Sequence, residues 1–278
     1  MAETPDSASP DTAKYTHGHH ASVLAVHRWR TIANSAAYLK PHLIAGRSLL
    51  DVGCGPGTIT TEFAERLAPG RVIGLDAAVD AITAAEAHAA ELGSAATFVH
   101  GDAFALPFDD GAFDITHTHQ TLQHVGDPVA MLREMARVTV PGGTIAAREV
   151  DYAVTSWFPL LPGLAQWLDL YQRVHRGNGG EPNAGRHLKA WARAAGLDAV
   201  ETTATVWLFS DEVDRAWWGG AWAEHVLHSS FARDALDGGH ATHAELQQIS
   251  QAWRVWAQHD DAMLTMTHVE VTATPAVG

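Results

Sequence analysis

The stretch Leu49-Leu50-Asp51-Val52-Gly53-Cys54-Gly55-Pro56-Gly57 decides the fold of this chain. Four mostly apolar residues run straight into glycines at every second position. That pattern predicts a buried strand entering a tight loop, where residues without Cβ turn sharply and let a ligand approach the backbone. Thr58 to Leu67 follows with helical periodicity and completes a strand–loop–helix unit. The spacing is GxGxG, with Thr58 where a dinucleotide fingerprint would place its last glycine. Asp51, just ahead of the loop, suits a cationic ligand group better than a pyrophosphate.

The same unit repeats downstream. Val72 to Asp76 reads as a second strand, followed by an alanine-rich helix to about Leu92, and Thr97 to His100 as a third strand entering Gly101-Asp102. The turn Asp109-Asp110-Gly111 leads to a fourth strand, Phe113 to about His119. Asp127-Pro128 has the chemistry of a helix start, N-cap then first turn. That helix is expected to end before Pro141-Gly142-Gly143, with a fifth strand over Thr144 to Val150. Strict alternation with short connections predicts an α/β protein with a parallel, doubly wound sheet.

Both flanks differ from this core. Residues 1–14, rich in Pro, Ser, Thr and Asp, read as a disordered tail. A helical arm is expected over 15–44: Val23, Val26, Trp29, Ala33 and Ala36 recur at helical spacing between His20 and Leu39, and Pro41 closes the segment. Residues 45–151 form the core. The remainder, 152–278, completes it with a helix near Arg186 to Ala195 and two late strands, Ala199 to Leu208 and Met263 to Ala273. Two helical inserts, near 152–183 and 211–262, are expected to cap the sheet's C-terminal edge together with the arm.

Composition bounds the function. A chain of 278 residues, 46% hydrophobic and 18% charged, can bury one large core with a lid. A net charge of −14 argues against a nucleic-acid backbone or an anionic membrane as partner. The single cysteine, Cys54, excludes an intramolecular disulfide framework or a Cys-rich zinc site. The opening MAETPDSASPDTAKYTHGHH is no secretory signal, and no apolar run has the length of a membrane span, so a cytoplasmic protein is expected. The 10 tryptophans, mainly in the second half, admit two readings: helix packing or an aromatic-lined pocket.

In open α/β sheets, ligands bind beyond the carboxyl ends of the strands. Asp76, ending the second strand, can accept both hydroxyls of a ribose. Asp102, ending the third, can accept from an adenine amine, and Asp114 to His124 leaves the central strand. Taken in order, LLDVGCGPG, VIGLD, GDAFALPFDDGAFD, LQHVGDP and REMARVTVPGG resemble the class I S-adenosylmethionine (SAM)-dependent methyltransferases. The likeness is greatest to the ubiquinone/menaquinone-biosynthesis (UbiE-like) type and covers about residues 45–150.

The resemblance implies a Rossmann-like seven-stranded sheet with a reversed last strand. It implies SAM as cofactor, S-adenosylhomocysteine as product, and no metal. Gly53, Cys54, Gly55 and Gly57 would line the methionine portion, with Asp51 near its amino group. Asp76 and Ala77 would hold the ribose, Asp102 and Ala103 the adenine, and His119 or Gln120 the methionyl end. Arg30 reads either as a partner of the cofactor carboxylate or as a solvated helix residue. The flanks YTHGHH…HRWR and REVDY…NGGEPNAGR also look family-like, but they depart from the quinone methyltransferases and speak against a quinone substrate.

Methyl transfer from a sulfonium needs alignment and exclusion of water, and a base only where the acceptor still holds its proton. His119, His124, Glu149, Asp151 and Tyr152 are the candidate catalytic groups, with His17, His19, His20 and His27 on the arm within conceivable reach. Each has a plainer reading: packing for His124, strand termination for Asp151, a polar patch rather than a metal pair for His117 and His119. Glu181, Asn183 and Arg186 read as a gating loop or as ordinary capping. The acceptor is expected to be a small, partly apolar molecule methylated at O, N or C. Trp157, Trp167, Trp217, Trp218 and Trp222 favour an enclosed aromatic pocket for it. The implied partner is thus a small molecule, with no nucleic acid or membrane and room for a homodimer. The alternatives are a SAM-using cyclase or decarboxylase, a non-catalytic relative, and an NAD-dependent oxidoreductase, which the glycine spacing disfavours.

Overall fold

The computed structural model describes residues 29–276; the expected tail and His17, His19, His20 and His27 lie outside them. The chain enters through a short helix α1 (Ile32–Ser35) and a 3-10 turn (Ala37–His42). It then alternates β1 (Leu49–Val52), α2 (Thr58–Leu67), β2 (Val72–Asp76), α3 (Val79–Leu92), β3 (Thr97–His100), β4 (Phe113–His119), α4 (Pro128–Val138) and β5 (Thr139–Val150). A short β6 (Ser156–Phe158), α5 (Pro162–Gly177), α6 (Leu188–Ala194), β7 (Asp198–Phe209), α7 (Glu212–His228), α8 (Ser230–Asp237), α9 (His243–Gln258) and β8 (Met263–Thr274) follow.

β1 is buried at all four positions, as a central parallel strand covered on both faces must be. It pairs in parallel with β2 and β4, with Leu50 opposite Ile73 on one side and Thr116 on the other. The sheet runs β3-β2-β1-β4-β5-β8. β8 is antiparallel to β5, with Arg148 opposite Glu270, and β7 is antiparallel to β8. The last strand is therefore reversed, as expected, and sits between β5 and β7.

An eighth strand changes the expected count. β6 pairs with the start of β8, Trp157 opposite Leu264, along the edge that β5 has left. Three residues ahead of a proline show no periodicity, so a sequence pattern reads this segment only as part of a helical insert. β5 also begins earlier than expected: Thr139 is already extended, and Pro141-Gly142-Gly143 lies inside the strand. The expected continuous helix fails over the described part of the arm. Thr31 is extended and caps α1 in a reciprocal box with Asn34, Ala36 leaves helical geometry, and Pro41 sits within the 3-10 turn. Local Thr and Asn hydrogen bonds compete here with helix propagation.

Three cores hold the layers. α2 and the N-terminal segment pack Ile32, Leu39 and Phe63 on Leu49, Ile115 and Ala146 of one sheet face. α4 and α6 pack Met131, Met135 and Leu188 on Leu50, Ile73 and Ile145 of the other. The third core belongs to α5, α7, α8 and α9, where Trp167 meets Trp222 at 4.7 Å and Trp253 at 4.8 Å. Trp167 and Trp253 are wholly buried and Trp218 and Trp222 nearly so, so most cap tryptophans are packing groups. Val150, Trp207 and Leu264 join this core to the sheet. Among the described residues no helix is long and apolar enough to cross a membrane.

Candidate active site

The glycine loop is folded as its sequence demands. Gly53, Gly55 and Gly57 all have left-handed φ, of 75°, 55° and 76°. At two of them the protein's own packing also forbids a side chain. A Cβ on Gly53 would lie 2.2 Å from Thr121 Oγ1, and one on Gly57 2.8 Å from the Phe98 ring. The Gly53 and Cys54 amides donate to Leu75 O at 2.7 and 3.0 Å. Cys54 is half-buried, and desolvation of its thiol, with Asp51 and Asp76 nearby, raises its pKa well above the ordinary thiol value.

Asp76 fastens this loop. Its Oδ2 accepts from the Gly55 amide and its Oδ1 from the Ala78 amide, both at 2.9 Å. A carboxylate has about four acceptor positions, so each oxygen retains capacity for a hydroxyl. Asp102, exposed at the end of β3, accepts from the Phe104 amide at 2.8 Å, beside half-buried Ala103. Ala77 is exposed, and its carbonyl is 3.1 Å from His100 Nε2. These residues line the carboxyl ends of β1, β2 and β3, and their donor set fits a nucleoside with a cationic tail.

Asp51 has partners inside the protein. It is 3% exposed; Thr60 Oγ1 donates to its Oδ2 at 2.6 Å and His117 Nδ1 pairs with its Oδ1 at 2.8 Å. His117 therefore belongs to Asp51 and not to a pair with His119. No three metal-ligating side chains come together among the described residues.

At the end of β4 the candidates separate. His119 is buried, and neither ring nitrogen has a hydrogen-bond partner among the described residues. Burial first, then Arg30 and Arg148, hold its pKa well below the ordinary histidine value, so the ring is neutral. It lies 6.0 Å from Trp207 and stacks on His268 at 6.4 Å. Gln120 has a left-handed φ of 52°, a strained setting for a side-chain-bearing residue. Its amide nitrogen reaches His268 Nε2 at 2.7 Å and its oxygen accepts from Arg30 Nη2 at 2.6 Å. Arg30 is thus no solvated helix residue, since Gln120 ties it to β4.

The other catalytic candidates are engaged in structure. Glu149 is wholly buried, and its Oε1 accepts the amides of Thr121 at 2.8 Å and Leu122 at 2.7 Å. Burial pushes its carboxyl up to about 8 against those hydrogen bonds. Asp151 makes a bidentate pair with Arg186, at 2.6 and 2.7 Å, which anchors the 181–186 loop. Asn183 adds a bond to the Ala153 amide at 2.9 Å. Tyr152 packs on Tyr171 at 4.2 Å in the cap core, and burial raises its hydroxyl to about 12. His124 stacks on His175 at 4.8 Å, and His175 Nε2 donates to Gln123 O at 2.7 Å.

Sequence reasoning missed a polar group beside His119. Arg148 and Glu270, each 1% exposed, pair at 3.3 Å. Arg148 Nη2 donates to Thr205 Oγ1 at 3.1 Å, while Thr203 donates to Glu270 at 2.6 Å and Thr205 donates to it as well. The signal was present: an arginine in the apolar run Ile145 to Val150 must be buried, and buried charge demands a partner.

A mostly parallel sheet with a reversed last strand and a GxGxG loop after β1 define a Rossmann-like α/β class. A family described as a methyltransferase domain matches residues 44–196, more than half of the chain. An uncharacterized methyltransferase of Schizosaccharomyces pombe is 34% identical over 275 residues, spanning 95% of this chain and 98% of that protein. The chain belongs to the class I SAM-dependent methyltransferases, and SAM is its cofactor. A demethylmenaquinone methyltransferase of Roseiflexus castenholzii is 38% identical over 169 residues, 59% of this chain and 66% of its own. The crystal structure of the [4+2]-cyclase SpnF superposes with a TM-score of 0.54 at 22% identity, over 96% of this chain and 90% of that one, a likeness of fold alone.

Proposed function

We propose that this methyltransferase acts on an oxygen, nitrogen or carbon of a small, partly apolar molecule, with the core of residues 45–151 holding the cofactor. The observation that carries the site assignment is the Asp76 carboxylate, fixed by the Gly55 and Ala78 amides at the mouth of the glycine loop. In this reading Asp76, with Ala77 beside it, receives the ribose hydroxyls, and Asp102 and Ala103 receive the adenine. Gly53, Cys54, Gly55 and Gly57 flank the methionine portion, with Asp51 buried beneath them. Gln120, His119 and Arg30 close its far end. When bound, SAM supplies a methyl group on a positively charged sulfur that is already a good leaving group.

The protein's own task is then alignment and exclusion of water, which the cap and N-terminal segment perform. Among the described residues neither ring nitrogen of His119 has a hydrogen-bond partner, and burial with the nearby arginines disfavours its charged form, so the neutral ring orients an acceptor through a hydrogen bond and is not a strong base. Glu149, Asp151, Tyr152 and His124 serve as positioning and packing residues. The net charge of −14 supports a small-molecule partner over nucleic acid and fits a cytoplasmic location, with dimerisation open.

Calorimetric titration with SAM, S-adenosylhomocysteine and NADH tests this reading. Binding of the first two alone is expected. Binding of NADH alone, or of none, overturns the assignment. A SAM-using cyclase shares the fold, and formation of S-adenosylhomocysteine with a turned-over acceptor separates the two.

A further inference from the structure

A cavity of about 370 Å³ lies between the N-terminal segment and the β7–β8 edge, lined among others by Trp29, Asn34, Ser35, Arg148, Trp207 and Glu270. None of the motifs that identify the cofactor side contributes to it. Its volume falls in the range of small-ligand sites.

Two of its walls are aromatic. The Trp29 and Trp207 rings meet edge-on at 5.0 Å, and the Arg148 guanidinium lies 5.0 Å from the Trp207 ring. The Trp207 indole nitrogen donates to Asn34 O at 2.7 Å, which holds that wall against the N-terminal segment. Such walls suit a flat ring, stacked or edge-on.

The floor is polar without structural need. A buried ion pair can often be replaced by apolar residues with no loss of stability, so Arg148 and Glu270 call for another explanation. Arg148 Nη1 is buried with no hydrogen-bond partner among the described residues, and the buried Tyr38 hydroxyl is likewise unpartnered. The charges facing Arg148 are Glu270, on the opposite strand, and Arg30, from the N-terminal segment. Buried donors left unpaired are rare in native proteins and call for an explanation. Finally, Arg148 is the cross-strand neighbour of His119, so this floor continues past Trp207 to the end of β4.

We propose that this cavity seats the methyl acceptor, and that the acceptor is a compact planar molecule of one or two fused rings bearing a carbonyl or phenolic oxygen. The oxygen accepts from Arg148 Nη1, and the ring lies against the edge-on pair of Trp29 and Trp207. The inference rests on the methyltransferase reading above for the ligand's role, but not for its binding.

The test uses 7-hydroxycoumarin as probe, followed by fluorescence anisotropy with the full chain, and S-adenosylhomocysteine followed separately by calorimetry. Saturable coumarin binding is expected. It should weaken by about tenfold or more in the double variant Arg148→Met/Glu270→Met, which removes one charge-assisted hydrogen bond without stranding a charge. Ala33→Trp, at an exposed position on the cavity rim, should block it and provides a second test if the double variant does not fold. Both variants should bind S-adenosylhomocysteine as before. No coumarin binding by a chain that binds S-adenosylhomocysteine, or binding unchanged in the variants, overturns the cavity assignment. Coumarin binding without S-adenosylhomocysteine binding supports the cavity and overturns the cofactor site instead; loss of both overturns the two together.

Discussion

Around the glycine loop, the groups facing the proposed cofactor site are main-chain amides and carboxylates that the main chain itself holds. Asp76 accepts from Gly55 and Ala78, Asp102 from Phe104, and Gly53 and Cys54 donate to Leu75. On the far side of β4 the arrangement is the reverse. There, Trp29, Arg148, Trp207 and Glu270 come from four distant segments and meet through their side chains. A site made of backbone is written in consecutive residues; a site made of side chains is assembled only when the sheet forms. Chemistry on a shared fold can change through a site of the second kind without disturbing one of the first.

The comparison extends to the cap, whose tryptophans form a core of their own. Trp167→Ala, at a wholly buried site between Trp222 and Trp253, should destabilise the protein by about 4 kcal/mol in denaturant unfolding. A loss under about 1 kcal/mol would return Trp167 to the list of pocket-lining residues. On the cofactor side, Asp76→Ala should weaken S-adenosylhomocysteine binding by roughly 100-fold, because two hydroxyl partners and the loop clamp go together. Unchanged affinity in calorimetry would break the proposed backbone-built site.

Glu149 sharpens the boundary between the two sides, since it ties β5 to the loop after β4. Its folded carboxyl, near 8, stands above the ordinary 4.5. The folded state therefore holds the proton more tightly, and the stability gained from it is present below about pH 4.5 and lost as the pH rises towards 8. Glu149→Gln should abolish that decline, narrowing the stability difference between pH 5 and pH 8.5 by about 4 kcal/mol, as read from urea midpoints. An equal pH dependence in the variant would assign the decline to other groups. The smallest effect concerns the N-terminal segment. Thr31→Ala removes the cap of α1 and should cost about 1 kcal/mol, measured by the shift in Tm, while leaving cofactor affinity unchanged.

How far the sequence could be read follows the same division. β1 and β2 were visible because parallel strands covered on both faces appear as mostly apolar runs, and β1, β2, β3 and β5 each meet a Gly or Asp where the chain turns. The N-cap pair Asp127-Pro128 starts α4 as its chemistry required. Three-residue β6 escaped notice because it has no periodicity, and the arm was misjudged because Thr31 and Asn34 satisfy each other locally. His117 and His119 looked equivalent on one strand face, yet Asp51 takes one and leaves the other without a hydrogen-bond partner among the described residues. Only β1 beside β4 makes that distinction.

By itself the sequence determined the α/β class, the glycine loop of the proposed cofactor site and the acids after β2 and β3, since these depend on neighbours within a few residues. Tertiary structure alone decided that β8 lies between β5 and β7, with Arg148 opposite Glu270. It also decided that the cap tryptophans pack on one another, and that a cavity remains beside Trp207. The physical reason is separation along the chain: Arg148 and Glu270 are 122 residues apart, and only the closed sheet brings the two charges into one low-dielectric site.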